Sequence, residues 1–236
     1  MPAPACVTPG LVPPIPCRDD LAIVAQQYFS VLGRAVEVGV YQGKFARHNL
    51  QHWLGEYAAV DTWNYRNDTT DDDKNYKDQK TNDANYELTR RNIAHAGRRA
   101  RQVRLASLEA AATFPDGHFD WMYIDALHTY HALLRDLRAW WPKLRPGGLL
   151  SGDDYGDAEP TPMVSVERYG RPKVDGWTRS VTGFHGYGNI PVAFHWGVIR
   201  ATQEWAKAMN ASLHITWMPH CYPFPAWYMI KPGCKG

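Results

Sequence analysis

The sequence predicts an α/β protein built on one doubly wound, mostly parallel sheet. Two observations carry this. Apolar runs alternate with helical stretches five times between Asp19 and Ser151, and a helix and two closing strands follow. Three of the runs end in glycine or acidic residues: Val36-Glu37-Val38-Gly39-Val40-Tyr41-Gln42-Gly43, Tyr123-Ile124-Asp125-Ala126-Leu127-His128 and Leu149-Leu150-Ser151-Gly152-Asp153-Asp154. Open α/β sheets bind ligands at the carboxyl ends of their strands. These three ends are therefore expected to build one polar site.

The elements follow in order. Residues 1–17 hold six prolines and read as a flexible lead-in to a single domain over 18–236. Asp19 or Asp20 caps a helix that runs to Leu32 and is closed by Gly33. Ala35 to Val40 lacks the alternation of a surface strand and reads as a buried parallel one. A helix follows Gly43 and ends at Gly55. Tyr57 to Asp61 is a second buried strand ending in an acid. Asn64 to Asn85 is a run of Asp, Asn, Lys and Thr; it reads as a solvated loop or an irregular helix start, with a mobile lid as the alternative. Tyr86 to Ala96 is helical and leads into a basic stretch.

Gln102 to Leu105 is the third strand, Ser107 to Ala112 a helix, and Phe119 to Asp125 the fourth strand. Tyr130 to Trp141 is a helix with Leu133, Leu134, Leu137, Trp140 and Trp141 on its apolar face. Leu144 to Gly148 is a tight turn into the fifth strand, Leu149 to Ser151. Residues 155–195 read as an irregular insertion. Trp196 to Met209 is helical, and Leu213–Met218 and Ala226–Ile230 close the sheet as an antiparallel hairpin.

Composition narrows the function. The 236 residues carry a net charge of +2, and the basic stretch lacks the aromatic interleaving that favours nucleic acid, so no nucleic-acid partner is expected. No run of 18 apolar residues exists, so no membrane span is expected. The start lacks the basic and apolar regions of a signal peptide, which points to the cytoplasm. Cys6, Cys17, Cys221 and Cys234 show no Cys-x-x-Cys spacing, against zinc. Free thiols are expected, with one terminal disulfide as the alternative. The ten Trp and thirteen Tyr read first as core, and in part as a pocket wall for a flat or sugar-like substrate.

The glycines of residues 39–43 let backbone pass close to a ligand at a strand-to-helix turn. Their spacing is Gly-x-x-x-Gly, not Gly-x-Gly-x-x-Gly, which counts against a dinucleotide. Asp61, at the next strand end, is placed to hydrogen-bond a ribose diol. Ser107 is placed to meet an adenine edge.

Taken together, Glu-Val-Gly-x-x-x-Gly, the acid in Ala59-Val60-Asp61-Thr62-Trp63, the stretch Phe119 to His128 and Leu144-Arg145-Pro146-Gly147-Gly148 resemble class I S-adenosylmethionine-dependent methyltransferases. The resemblance covers roughly residues 20–155, and the closing helix and strands also fit. It implies a Rossmann-like seven-stranded sheet, mostly parallel with a C-terminal antiparallel strand. It also implies S-adenosylmethionine held by Glu37, Gly39, Val40, Tyr41, Gly43, Asp61, Thr62, Ser107, Leu108 and Asp125. Asp-x-x-His after the fourth strand and Asp-Asp after the fifth are similar to the metal-dependent O-methyltransferases of catechol and macrolide-sugar type. That likeness implies Mg²⁺ on Asp125, Asp153 and Asp154, three hard oxygen donors; a pair capping a turn is the alternative for the last two. It implies His128 as general base beside Asp125, with His131 as a rival and His185 and His195 behind. The acceptor would be a hydroxyl of a small molecule, with Tyr155, Tyr169, Trp177 and Phe184 as candidates for its wall. A homo-oligomer is left open. The rival readings are a nicotinamide-dependent oxidoreductase on a similar sheet and a non-catalytic cofactor-binding relative.

Overall fold

The computed structural model describes residues 14–29, 33–65, 78–156, 166–167, 196–218, 221 and 224–233. Eight strands form one sheet: β1 Arg34–Val38, β2 Glu56–Asp61, β3 Ala100–Arg104, β4 Phe119–Ile124, β5 Leu144–Gly152, β6 Val166–Glu167, β7 Leu213–Ile215 and β8 Trp227–Ile230. Their order across the sheet is β3-β2-β1-β4-β5-β8-β7-β6. Every pairing is parallel except those of β8, which runs antiparallel to both β5 and β7. This is the predicted doubly wound sheet with its antiparallel C-terminal strand. The two-residue β6 adds an edge inside the segment read as an insertion.

Helices cover both faces. They are α1 Leu21–Phe29, α2 Lys44–His52, α3 Gln79–Ile93, α4 Ser107–Ala112, α5 Tyr130–Trp140 and α6 Val198–Ala208. Side chains alternate along each strand, so β4 sends Trp121 and Tyr123 into one core and Met122 and Ile124 into the other. The first core holds Trp53, Trp63 and Tyr228 against α1 and α2. The second holds Trp140, Trp227 and Tyr155 against α5 and α6. The tryptophan abundance is thus largely core: Trp53, Trp63, Trp121, Trp140 and Trp227 are fully buried. Tyr155 is fully buried as well and accepts from Gln203, so it packs rather than lines a pocket. The other wall candidates, Tyr169, Trp177 and Phe184, lie outside the described residues.

One expectation is decided and two are corrected. The polar run before Tyr86, read as a solvated loop or an irregular helix start, is helix from Gln79 onward, started by Asp78, whose carboxylate accepts from the Thr81 amide at 2.7 Å. Leu144, read as the start of a turn, already pairs with Phe119 of β4, and residues 145–148 make the register shift before Leu149 pairs with Trp121. Cys17 and Cys221 form a disulfide, with Cα atoms 5.9 Å apart, instead of free thiols. Cys6 and Cys234 lie outside the described residues. Among those residues, no helix is long and apolar enough to cross a membrane.

Candidate active site

Strand register builds the site. Val38 pairs with Val60 and with Ile124, and Ile124 pairs with Gly152. The residues that follow, Gly39, Asp61, Asp125 and Asp153, therefore leave the sheet side by side. Backbone bonds continue past the strand ends: Gly39 N–H donates to Val60 at 2.8 Å, Asp125 N–H to Val38 at 2.7 Å, and Asp153 N–H to Ile124 at 3.1 Å.

The turn after β1 has positive φ at Gly39 (90°), Tyr41 (53°) and Gly43 (71°). Tyr41 is exposed at the tip, and Val40 is buried. The Asp61 carboxylate braces this turn. Its Oδ2 accepts from the Val40 and Tyr41 amides at 2.9 and 2.8 Å, and its Oδ1 from the Trp63 amide at 2.9 Å. Thr62, beside it, accepts from the Asn64 amide. The far side of the turn is gripped by α3. Thr89 donates to the Tyr41 carbonyl at 3.1 Å, Asn92 to the Gln42 carbonyl at 2.8 Å, and Gln42 to Asn85 at 3.2 Å. Trp63 adds its indole N–H to the Tyr41 carbonyl at 2.8 Å. The sequence hides this grip, because Asn85 and Thr89 are buried polar residues in a helix without a strong apolar stripe.

Glu37 lies behind the turn, fully buried, and accepts from the Tyr57 hydroxyl at 2.5 Å. Tyr57 in turn accepts from Asn49 at 3.0 Å. Burial raises the Glu37 carboxyl to about 8, against the Tyr57 bond, with the Asp125 charge adding to the rise. Burial thus favours the neutral form of Glu37.

His128 stands between two carboxylates. Its Nε2 is 3.4 Å from Asp125 and 3.6 Å from Asp154. Asp154 reaches it from a left-handed backbone, φ 51°. Burial disfavours the charged imidazole, but Asp154, Asp125 and Asp153 together overcome it and raise His128 to about 9. The start of α6 closes this corner. Gly197 N–H donates to the His128 carbonyl at 3.0 Å, and the Trp196 ring lies 5.0 Å from the imidazole. His131, the rival base, is exposed on α5 beside Tyr130. His185 and His195 lie outside the described residues.

Ser107 is not drawn to the strand ends. Its hydroxyl donates to Asp136 at 2.6 Å and accepts from the Trp140 indole at 2.9 Å, so its side chain faces α5. Leu108 is exposed at the start of α4.

Arg18 is the residue that sequence reasoning missed. Its guanidinium donates to Asp153 and lies 4.8 Å over the Phe45 ring. Asp153 is buried, and its second carboxylate oxygen has no hydrogen-bond partner among the described residues. Burial, then Asp125 and Asp154, push the Asp153 carboxyl up to about 8 against the pull of Arg18. No pattern in the lead-in marked Arg18, since a lone arginine before a helix reads as surface.

These positions test the expected cofactors. The strained, tightly gripped turn and the buried acid behind it suit S-adenosylmethionine, which needs backbone at close range. They suit a dinucleotide poorly, because two amides that would meet a pyrophosphate already serve Asp61. Asp125, Asp153 and Asp154 have the chemistry for Mg²⁺, but their arrangement does not fit it. Among the described residues no three His, Cys, Asp or Glu side chains converge as ligands. Arg18 is already on Asp153, and His128 lies between the other two.

The profile of a family described as "Methyltransferase domain" matches residues 36–155. No curated protein matches. A solved structure from Corynebacterium glutamicum is similar over 100% of this chain and 85% of its own, at 14% identity and TM-score 0.54. Cofactor-bound Rv0187 from MTB is similar over 91% of this chain and 79% of its own, at 15% identity and TM-score 0.52. The O-methyltransferase TomG from Streptomyces achromogenes, involved in tomaymycin synthesis and solved with SAM, is similar over 91% and 78%, at 15% identity and TM-score 0.52. At these identities the likeness is one of fold.

Proposed function

This chain belongs to the methyltransferase-domain family, and from that membership we propose that it transfers a methyl group from S-adenosylmethionine to a hydroxyl of a small molecule. The observation that carries the proposal is the row of strand ends Gly39, Asp61, Asp125 and Asp153, with His128 held between Asp125 and Asp154. S-adenosylmethionine supplies a methyl group on a sulfonium, a strong electrophile that leaves as a neutral thioether.

The chain's own residues do the rest. Glu37 and the turn from Gly39 through Val40 and Tyr41 to Gly43 hold the amino-acid end. Asp61, with Thr62 beside it, fixes the turn and offers its remaining lone pairs to a ribose. Ser107 Oγ is committed to Asp136 and Trp140, so the adenine would meet backbone at Ser107 and Leu108 rather than that hydroxyl. Asp125 orients the His128 ring, and His128 in its neutral form takes the acceptor's proton as the carbon–oxygen bond forms. No step is routed through a metal, because the positive charge at Asp153 is already supplied by Arg18. Oxygen is named as the acceptor atom because an imidazole base serves a hydroxyl. The similar fold of TomG is compatible with that choice.

Calorimetry of S-adenosylmethionine into the purified chain is the direct test. Saturable binding that is lost in Gly39→Ala supports the proposal. Absence of binding overturns it and returns the nicotinamide cofactors to consideration.

A further inference from the structure

We propose that Arg18 takes the place of a divalent cation in this site, and that the Cys17–Cys221 disulfide keeps it there. Four carboxyl groups crowd the strand ends: Glu37, Asp125, Asp153 and Asp154. Among the groups acting on Glu37, Tyr123 and Asp153, Arg18 is the cation that opposes the acids. A guanidinium keeps its charge at any working pH and meets a carboxylate with a fixed fork. A divalent ion needs the same Asp153 oxygens, so the two compete for one carboxylate.

The segment that carries Arg18 is strapped to the sheet on both sides of the residue. Ile15 N–H donates to the Tyr228 hydroxyl at 3.3 Å, and Met218 N–H to the Pro16 carbonyl at 2.9 Å. Cys17 is bonded to Cys221, and its N–H donates to Asp20 at 3.0 Å. His48 Nε2 meets the Asp19 carbonyl at 2.8 Å. The Phe45 ring lies under the guanidinium and packs 4.5 Å from the Tyr123 ring. Arg18 and Asp153 side chains are 17% and 6% exposed, so the pair is not a casual surface contact. A tether that joins residues 204 apart in sequence turns an otherwise distant arginine into a fixed part of the site.

Mn²⁺, followed by its electron paramagnetic resonance signal, is the probe. The expected result is Mn²⁺ binding at least tenfold tighter in Arg18→Gln than in the oxidised wild type, and lost again when Asp153→Asn is added. Equal Mn²⁺ affinity in wild type and Arg18→Gln overturns the proposal, as does binding in neither. Should circular dichroism show that Arg18→Gln does not fold, the Cys17→Ser/Cys221→Ser chain replaces it. That chain keeps the arginine and loses the tether, and a tenfold gain in Mn²⁺ affinity is expected; no gain overturns the tether. The readout does not depend on S-adenosylmethionine, so it stands or falls apart from the methyl-transfer proposal.

Discussion

Gly39 and Asp125 are packed backbone to backbone: a side-chain carbon on Gly39 would be built into the Asp125 carbonyl oxygen. The glycine also has φ 90°, where other residues are strained. Gly39→Ala must therefore either push β4's end away from β1 or abandon the turn. It is expected to destabilise the chain by roughly 2–4 kcal/mol, the sum of a left-handed backbone penalty and a backbone displacement. It is also expected to weaken S-adenosylmethionine binding more than tenfold. Urea unfolding and calorimetry measure the two. A variant that is normal in both would remove this contact from the account of the site.

Asp61 braces the same turn through the Val40 and Tyr41 amides and also accepts from the Trp63 amide. A fully buried amide left without an acceptor costs about 1–3 kcal/mol; the Val40 and Trp63 bonds are part-buried and the Tyr41 bond is exposed, so the loss falls toward the low end of that range. Asp61→Ala is thus expected to lose stability as well as cofactor affinity, while Asp61→Asn, which keeps one carbonyl oxygen, loses less of both. If Asp61→Ala binds cofactor weakly but unfolds at the wild-type urea concentration, the carboxylate serves the ribose alone and the bracing is incidental.

The sheet and its strand-end residues were legible because buried parallel strands are written as apolar runs and the turns between them as Gly and Asp. Gly39, Asp61, Asp125 and Asp153 could be placed side by side from their order alone. The grip of α3 could not, because Asn85 and Thr89 make their bonds to residues some 45 positions earlier and look like solvent-facing polar residues. Arg18 was illegible for a similar reason. Its partner Asp153 is 135 residues away, and only the folded lead-in and its disulfide bring them together. Ser107 was placed on the correct helix, Ser107–Ala112. Its hydroxyl turned inward because the buried carboxyl of Asp136 needs a donor.

That carboxyl gives a pH prediction. Burial raises Asp136 to about 6 from 3.8, against the donation from Ser107. The folded state therefore holds its proton more tightly than the unfolded state. The group costs nothing below pH 3.8, where both states are protonated. Stability then falls as pH rises from 3.8 through 6, by on the order of 3 kcal/mol. Asp136→Asn, neutral at every pH, is expected to be more stable than the wild type at pH 8 and no more stable at pH 3.5. Urea midpoints at the two pH values decide it, and a variant destabilised equally at both would show that the hydrogen bond matters more than the charge.

His128 is the residue on which the chemical step depends. Its imidazole lies at 3.4 and 3.6 Å from two carboxylates, Asp125 and Asp154, and together with Asp153 they raise it to about 9. A general base must be neutral to accept a proton, so most of the free enzyme at pH 7 carries His128 in the wrong form. For this reason kcat/KM, which reports the free enzyme, is expected to climb with pH from 6 and level only near 9. Asp154→Asn removes the largest of the three raising charges and should move that rise to lower pH. His128→Gln keeps a polar side chain of similar reach but cannot act as the base. It is expected to lower kcat by roughly 10²–10⁴-fold while S-adenosylmethionine binds within a factor of about three, or ~0.7 kcal/mol. Loss of cofactor binding in that variant would instead assign His128 to the cofactor pocket. A flat pH profile with full turnover would pass the proton to another group.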